Sequence, residues 1–393
     1  MVRRGTFHSV DQAQAVARRR IPRSVYRYIE GGTEEERTVR ANRDAFGEIL
    51  FRPRAAVHHP SHDLYTTVLG HELAMPVIVS PAGYIRLAHR GGEVAAARAA
   101  GAAGIPAGVS TLSSYPIGAV AAASSGPVWY QVYFAGGRAG AEIAIDRAAE
   151  AGCTALIVTV DVAVAAGRER ALRGGGTPTK VDLRNALLYA PEMILRPRWL
   201  VDFLRDGLRL DVPNVRATPT GPPLSAAEAS KSMRRAAPTW ADFDWIRRRW
   251  HGPLVIKGIL RAEDARLAVD VGADAIVVSN HGGNALDGTP SALRVLPEIV
   301  GAVGDDIEVL VDGGVRRGAD VAKAVALGAR AVLIGRAYIW GLAAAGEPGV
   351  ARVLEILRDG LERTLALLGC PSVSALDRSY IEVPASWARS SVG

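Results

Sequence analysis

His281 stands in the run Ser279-Asn280-His281-Gly282-Gly283-Asn284, directly after the apolar stretch Ala275 to Val278. Imidazole is the side chain whose ordinary proton affinity lies nearest neutral pH, and paired glycines let backbone or ligand come close. These are the ingredients of a general base at the end of a buried strand. A lone histidine carries little, because a packed structural imidazole is as common an outcome. Asp161 closes another apolar run, Ala155 to Asp161. A carboxylate there holds the second ring nitrogen of a histidine, sets its tautomer and stabilises the imidazolium formed on proton removal. Taken alone, Asp161 serves equally well as a helix cap.

Two glycine turns carry positive charge, Asp312-Gly313-Gly314-Val315-Arg316 and Gly335-Arg336. Loop amides, a helix N-terminus and guanidinium groups together bind phosphate, so the pair points to a phosphorylated cofactor. Plain strand-to-helix turns are the alternative. Lysine occurs only at Lys180, Lys231, Lys257 and Lys323. Lys257 ends an apolar run in this arginine-rich chain, which argues for a compact cation where a guanidinium would not fit. Beside a flavin ring such a charge stabilises the reduced form. An ion pair at the far end of the fold is the other reading of Lys257.

The elements that must position these groups are eight short apolar runs: Val77 to Ser80, Pro106 to Ser110, Trp129 to Tyr133, Ala155 to Asp161, Leu254 to Gly258, Ala275 to His281, Glu308 to Gly314 and Ala331 to Arg336. Alanine-rich helical stretches such as Gly92 to Ala103 and Ala262 to Gly272 separate most of them. Continuous apolar strands alternating with helices predict a parallel sheet buried on both faces. Eight such units close an α/β (β/α)8 TIM barrel, with an open doubly wound sheet as the alternative. The polar strand ends, among them Ser110, Gln131, Tyr133, Thr159 and Ser279, would then meet at one mouth. One domain spanning 1–393 is expected, with a helical N-terminal extension over 1–70 and a lid-like insertion over 162–241 between strands four and five. Within the insertion, Arg196 to Arg205 is basic and amphipathic. Trp199 and Phe203 are expected over the barrel mouth, with membrane or partner contact as the alternative.

Hydrophobic residues make up 49% of the chain and charged residues 22%, a composition that folds rather than stays disordered. A net charge of +7 without an aromatic-basic recognition motif gives no case for nucleic acid. Cys153 and Cys370 match neither a zinc spacing nor a disulfide framework, so no metal is expected. No signal peptide or membrane-spanning run is visible, which places the chain in the cytoplasm.

Further motifs agree in order: Tyr26-Arg27-Tyr28 with Gly31-Gly32, Asn42 to Phe46, Gln131-Val132-Tyr133, Thr159-Val160-Asp161, Ile256-Lys257-Gly258 and Asp312 to Gly318. With the histidine run, they make the chain resemble the FMN-dependent α-hydroxy-acid oxidase and dehydrogenase family over almost its whole length. The resemblance implies that Pro81, Ala82, Gly83, Ser110, Gln131, Thr159, Lys257 and Ser279 hold the flavin of FMN. Asp312, Gly313, Gly314, Arg316, Gly335 and Arg336 complete the cofactor site around the phosphate. It makes His281 the base and Asp161 its partner, with Tyr28, Tyr133 and Arg168 facing the substrate.

The departure from that pattern lies at Asn284, where family members that oxidise hydroxy acids carry an arginine clamping the substrate carboxylate. Losing one partner of a buried charged pair costs about 2 to 5 kcal/mol. An amide, by contrast, presents a donor and an acceptor suited to a neutral lactam. Ala82-Gly83-Tyr84 also replaces the usual threonine-alanine-methionine. The string Ser279 to Pro290, with Arg196 to Leu200, Val212-Pro213-Asn214, Gly221-Pro222-Pro223 and Pro238-Thr239-Trp240, resembles a family branch that acts in mycofactocin biosynthesis. Tyr28 and Val162 depart from that branch. The resemblance implies oxidative deamination of a valine-tyrosine-derived aminolactam to an α-keto amide, with dioxygen as electron acceptor. A homo-oligomer is the default for such an enzyme. Hydroxy-acid oxidation, a flavin isomerase without net redox, and a flavin-binding protein without turnover are the competing expectations.

Overall fold

The computed structural model describes residues 7–164, 167–169, 183–205, 211–233 and 237–387. Lys180 and the intervening parts of the 162–241 insertion lie outside the described residues. Eight parallel strands form the centre: β1 (Val77–Val79), β2 (Ala107–Ser110), β3 (Val128–Val132), β4 (Ala155–Thr159), β5 (Leu254–Ile259), β6 (Ala275–Val278), β7 (Glu308–Asp312) and β8 (Ala331–Ile334). They close in sequence order, with β8 pairing to β1 and β4 to β5, so the chain is the (β/α)8 barrel its eight runs predict.

Nearly every strand position is buried, because helices cover the outside while side chains fill the inside. Ile78, Trp129, Ile157, Val255, Val277, Leu310 and Leu333 pack together within the barrel. Val68 and Leu73, from the hairpin Thr66–Val68 and His71–Leu73, join the same cluster and plug its N-terminal end. Apolar packing therefore closes one end, and the polar residues collect at the other. Register aligns them: Ser110 pairs with Gln131, and Lys257 with Thr159. The expected strands overshoot by one to a few residues, since Ser80, Tyr133, Asp161, Ser279 and His281 leave the ladder and turn into the mouth.

The N-terminal extension supplies helices α1 (Val10–Arg20), α2 (Arg23–Glu30) and α3 (Arg37–Glu48). Ser9 caps α1 by accepting from the Gln12 N–H at 3.1 Å, and three arginines in its last turn suit the negative helix end. The start of α3 is capped from far away in sequence. The Asp287 carboxylate accepts the N–H groups of Thr38 (2.7 Å) and Arg37 (3.1 Å), which bolts this helix to the loop after β6.

In the insertion, Asp211–Arg216 pairs antiparallel with Pro223–Ser225. Trp199 and Phe203 stack with ring centroids 4.8 Å apart, and the Trp199 indole donates to the Leu87 carbonyl at 2.7 Å. The pair thus packs against the segment after β1 and takes no part in lining the hollow that His281 faces, contrary to expectation. Leu87 offers a buried carbonyl that needs a donor, and the indole N–H supplies it.

Gly318 opens a helix packed directly on the long helix Glu347–Leu368. A Cβ there would come within 2.0 Å of the Leu361 nitrogen. Gly318→Ala is expected to cost about 1 to 3 kcal/mol through forced separation of these helices. Chemical denaturation checks this, and unchanged stability would contradict the packing described.

Candidate active site

After β6 ends, the chain turns through three successive left-handed residues, His281 (φ 57°), Gly282 (φ 61°) and Gly283 (φ 77°). Glycine takes this conformation freely, but histidine does so only where its surroundings hold it. Three contacts do the holding. The His281 backbone N–H donates to Ser279 Oγ (3.0 Å), Nδ1 lies 2.9 Å from Asp161 Oδ1, and Nε2 lies 3.2 Å from the Tyr133 hydroxyl. Because the carboxylate can only accept, Nδ1 carries the proton, and Nε2 keeps the lone pair that accepts from Tyr133.

Burial by itself would raise the Asp161 carboxyl. The charge and hydrogen bond of His281, with the charge of Lys257, outweigh that and hold it below the usual carboxylate range. Burial, then the neighbouring Asp161 and Tyr28, push the Tyr133 phenol up, so it stays a proton donor. Gly258 (φ 114°) leaves room for the pair, since a Cβ there would lie 2.6 Å from that of Asp161.

Lys257 Nζ lies 3.0 Å from Asp312 Oδ2 and 2.8 Å from Ser279 Oγ, all three residues being buried. Burial disfavours its charge, but Asp312 and then Asp161 overcome this and raise its pKa, so the ammonium persists. Around it, Gln131 Nε2, Thr159 Oγ1 and Asp312 Oδ1 are buried with no partner among the described residues. Ser110 Oγ donates to Gln131 Oε1 at 2.9 Å, which leaves only the amide nitrogen open. Each buried polar group left unmatched costs about 1 to 3 kcal/mol. Donors and acceptors set along adjacent strand ends beside a fixed cation fit the polar edge of a flavin ring.

The hollow that begins at Pro81, Ala82 and Gly83 passes Lys257 and Asp312 and ends at Gly313, Gly314, Arg316, Gly335 and Arg336. Ser110, Gln131, Thr159, Ser279, Asp161 and Tyr133 are not among the residues that line it. Arg316 Nε has no partner among the described residues, and its guanidinium is lowered to about 9 by burial and by the like charges of Arg336 and Arg43. A buried cation only partly offset by Asp11 and Asp320, beside two glycines, is a fitting phosphate end.

Arg336 behaves differently from Arg316. Its guanidinium donates to the carbonyls of Ile29 (2.8 Å), Gly31 (2.7 Å) and Gly282 (2.7 Å), so it ties the N-terminal extension to the histidine loop. What this position offers an anion is the start of the helix Arg336–Ala345.

At the substrate end, Arg168 donates to the Tyr28 carbonyl at 3.1 Å and lies over that ring at 4.8 Å. Asn284 Nδ2 donates to the His281 carbonyl (2.9 Å), and its Oδ1 lies 3.5 Å from Arg336 Nη2. Sequence reasoning gave no site role to Val39, Asn42 and Arg43, yet all three line the hollow, as does Tyr84 of the segment Ala82-Gly83-Tyr84 whose departure from the family pattern was visible. The signal was a polar Asn42 on a helix face beside Ala45 and Phe46, visible but without an assigned partner.

Residues 17–383 match the family described as FMN-dependent dehydrogenase. The chain belongs to that family. It is 47% identical over 387 residues to the pre-mycofactocin synthase of Mycobacterium tuberculosis (strain CDC 1551 / Oshkosh), covering 98% of this chain and 96% of that protein. It is 40% identical to the L-lactate dehydrogenase of Caulobacter sp. (strain K31), covering 95% and 98%. Among solved structures, the monotopic membrane protein (S)-mandelate dehydrogenase superposes with a TM-score of 0.89 at 37% identity, covering 96% and 100%. The chain is therefore an FMN-dependent oxidoreductase of the α-hydroxy-acid dehydrogenase family.

Asp161→Asn keeps the shape of the pair but removes the charge that stabilises a protonated His281. The rate of flavin bleaching by substrate without oxygen is expected to fall about a hundredfold or more, with flavin content unchanged in the visible spectrum. A rate near wild type would remove Asp161 from the chemistry.

Proposed function

We propose that this oxidoreductase acts on a neutral, peptide-derived aminolactam, oxidising the amine-bearing carbon to an imine that water converts to an α-keto amide. Position 284 carries the proposal. Asn284 brings no charge, and the Arg336 guanidinium is spent on three carbonyls. Arg168, already donating to Tyr28, is left to meet a substrate carboxylate by itself. A ring amide needs no such clamp. The pre-mycofactocin synthase relatives support the same reading, and the lactate dehydrogenase relatives support hydroxy-acid oxidation as the alternative.

FMN, when bound, supplies the acceptor for the two electrons leaving the substrate carbon. His281 Nε2 takes the proton from the substrate nitrogen, while Asp161 fixes the ring and balances the positive charge. The Tyr133 hydroxyl, 3.2 Å from Nε2, shares that proton's path. One C–H and one N–H bond are lost and a C=N bond forms. Water then adds and ammonia departs. Dioxygen takes the two electrons and two protons to become hydrogen peroxide. A base and its orienting carboxylate have no use in a protein that only binds flavin, and proton transfer coupled to electron loss distinguishes this reading from an isomerase. A homo-oligomer remains the expected assembly.

Oxygen-free mixing with a valine-tyrosine-derived aminolactam is expected to bleach the flavin far faster than lactate or mandelate does. Asn284→Arg is expected to reverse that preference by about thirtyfold or more, equivalent to the 2 to 5 kcal/mol of a restored charge pair. Faster bleaching of the native protein by a hydroxy acid would overturn the proposal in favour of its alternative.

The insertion supports a statement about place. No helix among the described residues is long and apolar enough to cross a membrane. Yet Ile194 and Leu195 are 66% and 71% exposed, and Val201 and Leu204 are also exposed, interleaved with Arg196, Arg198 and Arg205. Apolar groups set among cations suit the headgroup region of an anionic bilayer. With the mandelate dehydrogenase neighbour itself a membrane protein, we infer a cytoplasmic protein that rests on the inner membrane face. It is expected to sediment with phosphatidylglycerol vesicles but not with phosphatidylcholine ones, and to lose this on combined Leu195→Asp and Leu204→Asp. Sedimentation with neither vesicle type sinks the inference.

A further inference from the structure

Helix α3 lies between the loop carrying His281 and the glycine loop at the phosphate end of the hollow, and Asn42 touches both. Its Nδ2 donates to Asn280 Oδ1 at 2.8 Å, and Asn280 Nδ2 donates back to Asn42 Oδ1 at 2.9 Å and to the Pro290 carbonyl at 2.9 Å. Both asparagines are 2% exposed, so water does not compete for this reciprocal amide pair. On the other side, a Cβ on Gly313 would lie 3.2 Å from Asn42 Cγ, and one on Gly314 only 1.9 Å from the Asn42 carbonyl oxygen. The segment leading into this helix and the helix start are also fastened to the histidine loop. Thr33 donates its N–H (3.0 Å) and its hydroxyl (3.2 Å) to the Gly283 carbonyl, and Asp287 caps Arg37 and Thr38.

We propose that Asn42 is a positioning residue that couples the phosphate-end loop to the left-handed turn holding His281, so that an anion at Gly313 to Arg316 orders the base. The left-handed His281 is costly and needs support from outside its own loop. Asn280 immediately precedes it, and among the described residues the one side chain that hydrogen-bonds the Asn280 amide is Asn42. A phosphate group that draws the two glycines and Arg316 together presses against the Asn42 backbone, and the amide pair passes that constraint to the base. The proposal rests on His281 as the proton acceptor, but its first test does not involve turnover.

Hydrogen exchange on the full-length chain stripped of flavin is measured with and without inorganic phosphate. Slower exchange at residues 283–289 is expected in the native chain and is expected to be absent in Asn42→Ala. Unchanged exchange there, whether or not residues 313–318 slow, overturns the coupling. With FMN restored, Asn42→Ala and Asn280→Ala are each expected to lower kcat about tenfold with KM unchanged. The double variant should be no worse than the poorer single one, since contacting residues share one interaction. Additive losses, or losses confined to KM, also overturn it.

Discussion

The site depends on one strained residue. His281 sits at φ 57°, a conformation that costs a non-glycine side chain on the order of 1 to 3 kcal/mol, and it does so at the point where strand β6 gives way to the mouth of the barrel. That turn aims Nδ1 at Asp161 and Nε2 at Tyr133. Relaxing it would swing the ring out of reach of both. Much of what surrounds the loop is therefore explicable as restraint: Ser279 accepting from the His281 N–H, Arg336 gathering carbonyls from the extension and from Gly282, and α3 pressed against Gly283.

Charge is distributed along the hollow with the same economy. Lys257 keeps its proton although buried, because Asp312 and Asp161 stand beside it. Asp161 keeps its charge for the complementary reason. At the other end burial and the like charges of Arg336 and Arg43 outweigh the carboxylates of Asp11 and Asp320, so Arg316 falls well below an ordinary guanidinium. A balanced network suits the region where charge must move during chemistry, and an unbalanced cationic one suits the place where an anion is to be held. The N-terminal extension belongs to both ends, since Arg43 adds to the positive end while Thr33 and Asp287 join it to the histidine loop.

The barrel was legible because eight apolar runs buried on both faces leave few ways to pack other than closure, and their polar ends necessarily share a rim. Strand-end position marked Asp161, His281, Lys257 and the glycine loop with Arg316 as candidates, but the residues equally allowed a helix cap, a far-end ion pair and plain turns. Other features escaped for identifiable reasons. Trp199 and Phe203 announced an apolar face but not which surface would receive it. Asn42 is separated from Asn280 by more than half the chain, and no local pattern pairs two amides across that distance. Arg336 has the residue type of an anion ligand, and only the nearby carbonyls of Ile29, Gly31 and Gly282 redirect it.

The sequence by itself determined the periodicity of the barrel, the identity of the groups at its mouth and the absence of an arginine at position 284, since each is a matter of residue type and local order. Tertiary structure alone decided which groups have partners and which are left open: the spent guanidinium of Arg336, the unmatched Gln131 and Thr159 atoms, and the amide bridge from Asn42. The physical reason is that apolar burial is nearly additive along a chain, whereas hydrogen bonding and electrostatic balance depend on distances of a few ångströms between residues brought together only by folding.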